Sequence, residues 1–189
     1  MERISRDDVN ALPIRRYEGE IVLVETPDAL ARAVDEIRAE AVVGFDTETR
    51  PAFRPGESYL PSLAQVATSS AVFLFRLPGN EAALIELLQS PATVKAGISM
   101  ADDLKGLKKM FPFDEQGILD LGTVAKRHGL KQSGVRNLTA LLLGWRIAKG
   151  AKTTNWAAKR LTPQQIAYAA TDAWACRELY FKLRDLGAI

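Results

Sequence analysis

Apolar positions along the chain fall into short continuous runs separated by stretches with helical spacing. Ile21–Val24 is an apolar run of strand length, and Thr26-Pro27-Asp28 after it predicts a helix start. There threonine can act as N-cap, with proline at the first helical position. This helix is expected to reach about Ala39. Ala41–Phe45 is almost uninterrupted in its apolarity, as expected of a strand buried on both faces. Leu63–Thr68 and Ala71–Phe75 read as two further strands, joined through Ser69-Ser70 into a hairpin. Asn80 is positioned to cap a helix running to Gln89, Val94–Ile98 predicts a strand, and Ala101–Met110 a helix. Ile118–Leu121 is extended and leads into a helix that ends near His128-Gly129; Leu138–Leu143 is helical up to Gly144. The best-marked start is Thr162-Pro163-Gln164-Gln165, which combines an N-cap, a proline at the first position and a capping-box glutamine. Ile166, Ala169, Ala170, Ala173, Cys176, Leu179 and Leu183 then recur at helical spacing. Met1–Glu20 has no sustained period and is expected to form an extended N-terminal arm, with residues 21–189 as one domain. Early strands with helices interleaved predict an α/β class with a mixed central sheet flanked by helices.

Composition narrows the possible chemistry. A chain of 189 residues with 47% hydrophobic and 25% charged positions is long enough to bury a core as a single domain. No apolar run approaches the roughly 20 residues of a membrane span, so no membrane association is expected. The charged start, Glu2, Arg3, Arg6, Asp7 and Asp8, argues against a signal peptide, and a cytoplasmic location is expected. The lone Cys176 excludes a disulfide framework and a structural zinc site. The lone His128 excludes every scheme that needs two histidines. The net charge of +2 conceals a split: Leu104–Arg160 carries 12 Lys/Arg against 3 Asp/Glu, and the remainder 13 against 20. This asymmetry suits a basic groove beside an acidic site, although taken alone its plainer meaning is solvated basic helix faces.

Four acids stand out. Asp46 and Glu48 lie two apart where the buried run Val42–Phe45 ends, so on a strand both carboxylates point to one face. Clustered anions are costly unless a cation neutralises them, and hard divalent ions take such oxygen ligands. A polar strand end is the plainer meaning of Asp-x-Glu alone. Tyr168 and Asp172 are four apart on the last helix and share a face. Taken alone, that spacing is also met in a core aromatic with a surface acid nearby.

In order, Asp-x-Glu on an early strand, Asp103 on a middle helix and Tyr-x-x-x-Asp on the last helix resemble the DEDD superfamily of 3′–5′ exonucleases, in its tyrosine branch. The flanks agree: Val43-Gly44-Phe45-Asp46-Thr47-Glu48-Thr49, Lys95-Ala96-Gly97-Ile98 before Asp102-Asp103-Leu104, Asn137-Leu138, Leu141-Leu142-Leu143-Gly144, Asn155-Trp156, and Tyr168-Ala169-Ala170-Thr171-Asp172-Ala173. They are similar to the exonuclease domain of the Werner-syndrome helicase and, more distantly, to ribonuclease D. The sister branch needs His-x-x-x-x-Asp, but Ser133 lies five residues after His128. The resemblance implies a ribonuclease-H-like fold and two divalent ions, Mg²⁺ or Mn²⁺, held by Asp46, Glu48, Asp103 and Asp172. It further implies that Tyr168 orients the attacking water, and that nucleoside 5′-monophosphates leave from the 3′ end of DNA or RNA. Asp102 and Asp103 are adjacent, and only one can face the site from a helix. Matching Gly97 and Leu107 to the family's glycine and leucine favours Asp103, while Asp102 could sit near the helix N-terminus, where an acid is favourable.

The expected partner is nucleic acid, as a single strand or a recessed 3′ end; the sequence does not specify an oligomeric state. Lys152, Asn155, Trp156 and Arg160, with Lys149 and Lys159, precede the last helix and are candidates for strand contacts. Trp145 could add a stacking platform, although core packing serves both tryptophans equally well. Phe53 and Arg54 follow Glu48 and could flank a terminal nucleotide. The competing class is a nucleic-acid-binding or scaffolding protein that kept the fold without catalysis.

Overall fold

The computed structural model describes residues 3–189; Met1 and Glu2 lie outside the described residues. The chain opens with helix α1 (Arg6–Ala11), capped by the Ser5 hydroxyl, then β1 (Ile14–Arg15) and β2 (Glu20–Val24). Helix α2 (Pro27–Arg38) starts as its sequence predicts, with the Thr26 side chain accepting from the Ala29 amide. Strands β3 (Val42–Thr49), β4 (Pro61–Ala67) and β5 (Ala71–Arg76) are followed by α3 (Glu81–Gln89), β6 (Val94–Gly97) and α4 (Met100–Lys108). Then come β7 (Ile118–Asp120), α5 (Leu121–Arg127) and α6 (Val135–Leu138). A π-helical turn (Thr139–Leu143) ends at Gly144, whose φ of 72° suits glycine. The last elements are β8 (Arg146–Ile147) and the long α7 (Pro163–Asp185), whose capping box between Thr162 and Gln165 is fully formed.

Six strands make one sheet in the order β2-β5-β4-β3-β6-β7. The central β3–β4 and β4–β5 pairs are antiparallel, while β2–β5, β3–β6 and β6–β7 are parallel. The sheet is therefore mixed, as expected. Alternation along β3 sends Val43 and Phe45 into a core with Leu84 and Leu88 of α3 and Leu104 and Leu107 of α4. Its other face meets α7, where Val42 joins Cys176, Leu179 and Leu183.

Two local features differ from the sequence expectation. The segment before β2 is no free extended arm: Val9 of α1 is buried, β1 pairs in parallel with β8, and the Tyr17 amide donates to Thr171 Oγ1 at 3.0 Å. These long-range contacts leave no periodic signature in so short a stretch. Asn80 precedes α3 without capping it; its side-chain amide donates instead to the carbonyls of Arg76 (2.9 Å) and Val24 (3.4 Å). No helix among the described residues is long and apolar enough to cross a membrane.

Strand β3 and helix α7 approach each other closely at Gly44. A Cβ on Gly44 would lie 1.9 Å from the Ala173 carbonyl oxygen and 2.9 Å from the Arg177 nitrogen, both backbone atoms. Only glycine lets the helix settle at this depth, and the small Ala169, Ala170 and Ala173 give α7 a matching flat face. Asp120 ties the other side together. Its Oδ2 accepts from the Met100 amide (3.0 Å) and its Oδ1 from the Thr123 amide (3.0 Å), so one carboxylate serves the starts of both α4 and α5.

Gly44→Ala should therefore destabilise the protein by about 1–3 kcal/mol, because the helix must back away from the sheet. Urea unfolding monitored by circular dichroism reads this directly; a midpoint equal to wild type would refute the close packing of strand and helix.

Candidate active site

Strand pleating and the docking of α7 assemble the acids. Asp46 and Glu48 leave β3 on its α7 side, and Tyr168 and Asp172 stand one turn apart in the first half of that helix. Asp46, Glu48 and Asp172 each bring a carboxylate oxygen within 4.8 Å of the other two. Asp103, at the start of α4, lines the same hollow, but its carboxylate accepts a hydrogen bond from Thr47 Oγ1, whose residue lies between the two β3 acids. Asp102 lines the hollow as well, but it is exposed where Asp103 is half-buried. The structure thus brings three acids into one group and holds the fourth beside it.

Burial makes this group electrostatically strained. Asp46 is pushed well above the usual carboxylate range by desolvation and by the charges of Glu48, Asp172 and Asp103. Glu48 rises to about 9, from burial first and then from Asp172 and Asp103. Asp172 rises to about 7 by burial, against the lowering effects of a hydrogen bond from Tyr168 and the nearby Lys152 charge. Asp103 reaches about 6, with burial outweighing its bond from Thr47. The Tyr168 phenol is raised above its ordinary value by burial and by Asp172, Glu48 and Asp46, so it stays protonated.

The donor set suits a hard divalent cation: three carboxylates, no sulfur or imidazole within the group, and a buried Asp172 Oδ1 without a hydrogen-bond partner. A bound cation would relieve both the repulsion and the orphaned oxygen.

Around this centre the expected strand-contacting residues separate. Lys152, Asn155 and Arg160 are exposed, and Lys152 lines the acid hollow. Trp156 is a correction: it is 0% exposed, tilted against Tyr168 at 6.2 Å, and its Nε1 donates to the Lys152 carbonyl. No ring face remains for a base; the indole instead backs the Tyr168 ring. Trp145 is likewise buried, stacked on Trp174 at 5.1 Å. Phe53, 77% exposed, and Arg54 stay at the surface on the loop beyond Glu48.

Other residues of the site were not singled out from sequence. Gln65 sits opposite Asp46 in the β3–β4 register, fully buried, with both amide atoms unpartnered. Thr47 holds Asp103, and Cys176 lines the hollow one turn beyond Asp172. A buried-strand pattern conceals Gln65, and Thr47 lies in plain view within Asp-Thr-Glu but shows its partner only when α4 packs.

The raised carboxyls dictate a pH dependence. These carboxyls hold their protons more tightly in the folded state than in the unfolded one, so their own contribution to stability is complete below about pH 4 and is lost as pH climbs through 6, 7 and 9. Without divalent ions, this group's contribution should lower the melting temperature by several degrees between pH 5 and 9. Mg²⁺ should restore more of it at pH 9 than at pH 5. Differential scanning fluorimetry across that range checks both signs; a metal effect independent of pH would contradict the geometry.

Comparison with known proteins agrees with this arrangement. A family model described as 3′–5′ exonuclease matches residues 21–187. Ribonuclease D of Acidiphilium cryptum is 33% identical over 87% of this chain and 43% of its own length. The bifunctional 3′–5′ exonuclease/ATP-dependent helicase WRN of Mus musculus is 31% identical over 93% of this chain, but only 13% of its own. The chain thus spans less than half of either relative. The crystal structure of the Aedes aegypti Nibbler EXO domain superposes with a TM-score of 0.77 at 25% identity, covering 93% of this chain and 94% of that one. The mixed sheet with helices on both faces is the ribonuclease-H-like fold of these exonuclease domains. With the family match running over residues 21–187, the chain belongs to the 3′–5′ exonuclease family.

Proposed function

We propose that the protein is a metal-dependent 3′–5′ exonuclease that removes nucleoside 5′-monophosphates from the 3′ end of a DNA or RNA strand, using Mg²⁺ or Mn²⁺. The observation that carries this reading is the trio of carboxylate oxygens within 4.8 Å, with Tyr168 one turn before Asp172. Asp46, Glu48 and Asp172 would hold one ion. Asp46 would be shared with a second, which Asp103 would reach on leaving Thr47. Bound there, such ions supply positive charge against the phosphoryl oxygens and a more acidic water.

The chain's own groups do the rest. Tyr168 keeps its proton, so its hydroxyl orients the attacking water and does not act as the base. Lys152, whose charge acts on both Glu48 and Asp172, lies where it can meet the scissile phosphate's negative oxygens. Asn155 and Arg160 extend exposed polar surface from the same segment. We assign residues 21–189 as the exonuclease domain, with residues 1–20 as a segment that docks on it through β1 and Tyr17, and the setting we assign is the cytoplasm. Nothing in the site favours the non-catalytic alternative, since every acid of the family motif and the tyrosine are present.

The test is hydrolysis of 5′-labelled oligonucleotides, single-stranded and recessed, DNA and RNA, with Mg²⁺, Mn²⁺ or chelator. Wild type should shorten strands stepwise from the 3′ end only with metal. Asp46→Asn and Asp172→Asn should each lower kcat by about 10³-fold or more, which corresponds to roughly 4 kcal/mol of transition-state stabilisation. Tyr168→Phe should cost about 10- to 100-fold while leaving metal binding intact. Strand binding without cleavage under every condition would establish the non-catalytic alternative.

A further inference from the structure

Beside the acid site lies a second charged feature that its chemistry does not use. Arg6 of α1, Arg136 of α6 and Lys149 line one cleft, and Arg146 of β8 stands close enough to act on Arg136 and Lys149. Among the described residues none of these four makes an ion pair. Arg136 is held below its ordinary value by burial and by the charges of Arg146 and Arg6. Lys149 is lowered by Arg136 first and then by Arg6. Asp8 also lines the cleft, but its carboxylate accepts a 2.6 Å hydrogen bond from the Ser5 hydroxyl.

The fold holds this mutually repelling group in place through the segment before β2. Ile4 and Gln132 exchange two hydrogen bonds, at 2.9 and 3.1 Å. Arg136 Nη2 donates to Asn10 at 3.2 Å, and Arg146 Nε donates to the Leu12 carbonyl at 3.0 Å. Arg6 and Lys149 remain exposed. The family match begins at residue 21, so Arg6 comes from outside it. The cleft is continuous with the acid site: Arg136 and Lys149 also line the hollow that reaches Tyr168 and Asp172, and Lys152 joins that hollow to the four acids. Cations without ion-pair partners on a path leading from the acid site suit a polyanion that runs on from it, a chain of phosphodiesters.

We propose that this cleft is a subsite for the sugar–phosphate backbone upstream of the scissile bond, and that Arg6 and Lys149 are phosphate-binding residues within it. The inference rests on the exonuclease reading for the direction of the strand. A 3′ end at the acids sends the preceding phosphates past Lys152 to Lys149, Arg136 and Arg6. The contacts are to phosphate alone, so they add affinity without base preference.

Fluorescence anisotropy with a labelled 12-nucleotide single strand, its last linkage a non-hydrolysable phosphonate, measures binding in Mg²⁺ without turnover. The double substitution Arg6→Glu/Lys149→Glu, at exposed positions, should raise Kd about 10-fold or more at low salt. It should also reduce the slope of log Kd against log salt by about 1.4, or roughly 0.7 for each phosphate that the variant no longer neutralises. A nucleoside 5′-monophosphate, which fills only the acid end, should compete equally well on both proteins. Lys182→Glu/Arg184→Glu, at exposed positions in the last turn of α7, makes the same change of net charge and is the control, which should leave Kd within about twofold. Unchanged strand binding in Arg6→Glu/Lys149→Glu, an equal weakening in Lys182→Glu/Arg184→Glu, or an equal weakening of mononucleotide binding would each overturn the subsite. Because binding is read without cleavage, absence of hydrolysis in wild type would sink the exonuclease reading separately.

Discussion

The contact of α7 with the centre of the sheet is the constraint on which the rest of the molecule depends. Gly44 leaves room for the Ala173 carbonyl where any side chain would collide with it. That proximity sets Asp172 beside Asp46 and Glu48, three carboxylates in a space that repels them. Apolar packing along the same helix opposes the repulsion: Cys176, Leu179 and Leu183 are buried against Val42 and Leu121. The site is strained because its surroundings are not, which is the usual way a fold retains costly polar groups.

Charge is distributed along the same axis. The acids sit at one end of the central strand, while Arg136, Lys149 and Lys152 of the basic segment between Leu104 and Arg160 line the approach to them. Lys152 links the two regions, acting on Glu48 and Asp172 from within the acid hollow. The segment preceding β2 extends the basic region, since docking α1 and β1 against β8 adds Arg6 to cations supplied by the other end of the chain. A near-neutral total thus describes neither region.

Much of this was legible in the sequence. Thr26 and Thr162 announce their helices by capping chemistry, a local matter of one side chain and the next few amides. The run Val42–Phe45 announces a buried strand, and the Asp-x-Glu spacing puts Asp46 and Glu48 on one face. Illegible features each depend on a distant partner. Asn80 has the residue type of a cap but gives its amide to carbonyls of β2 and β5. Trp156 has the residue type of a base-stacking platform but is sealed against Tyr168. Gln65 and Asp120 carry no signal at all until the strands and helices around them are paired.

By itself the sequence determined the α/β class and nearly every element of the sheet and its helices, because periodicity and capping are properties of neighbouring residues; the four acids and their tyrosine it marked only through their resemblance to a family. Only the tertiary structure decided which acids meet. Asp46, Glu48 and Asp172 share one space, Asp103 is held by Thr47, and Asp102 stays in solvent. It also decided that Arg136, Lys149 and Lys152 line the approach to the acids and that Arg6, from before β2, lines the adjoining cleft. These outcomes turn on how deeply α7 sinks onto β3 and on which face each helix presents, a matter of steric fit between residues more than a hundred positions apart.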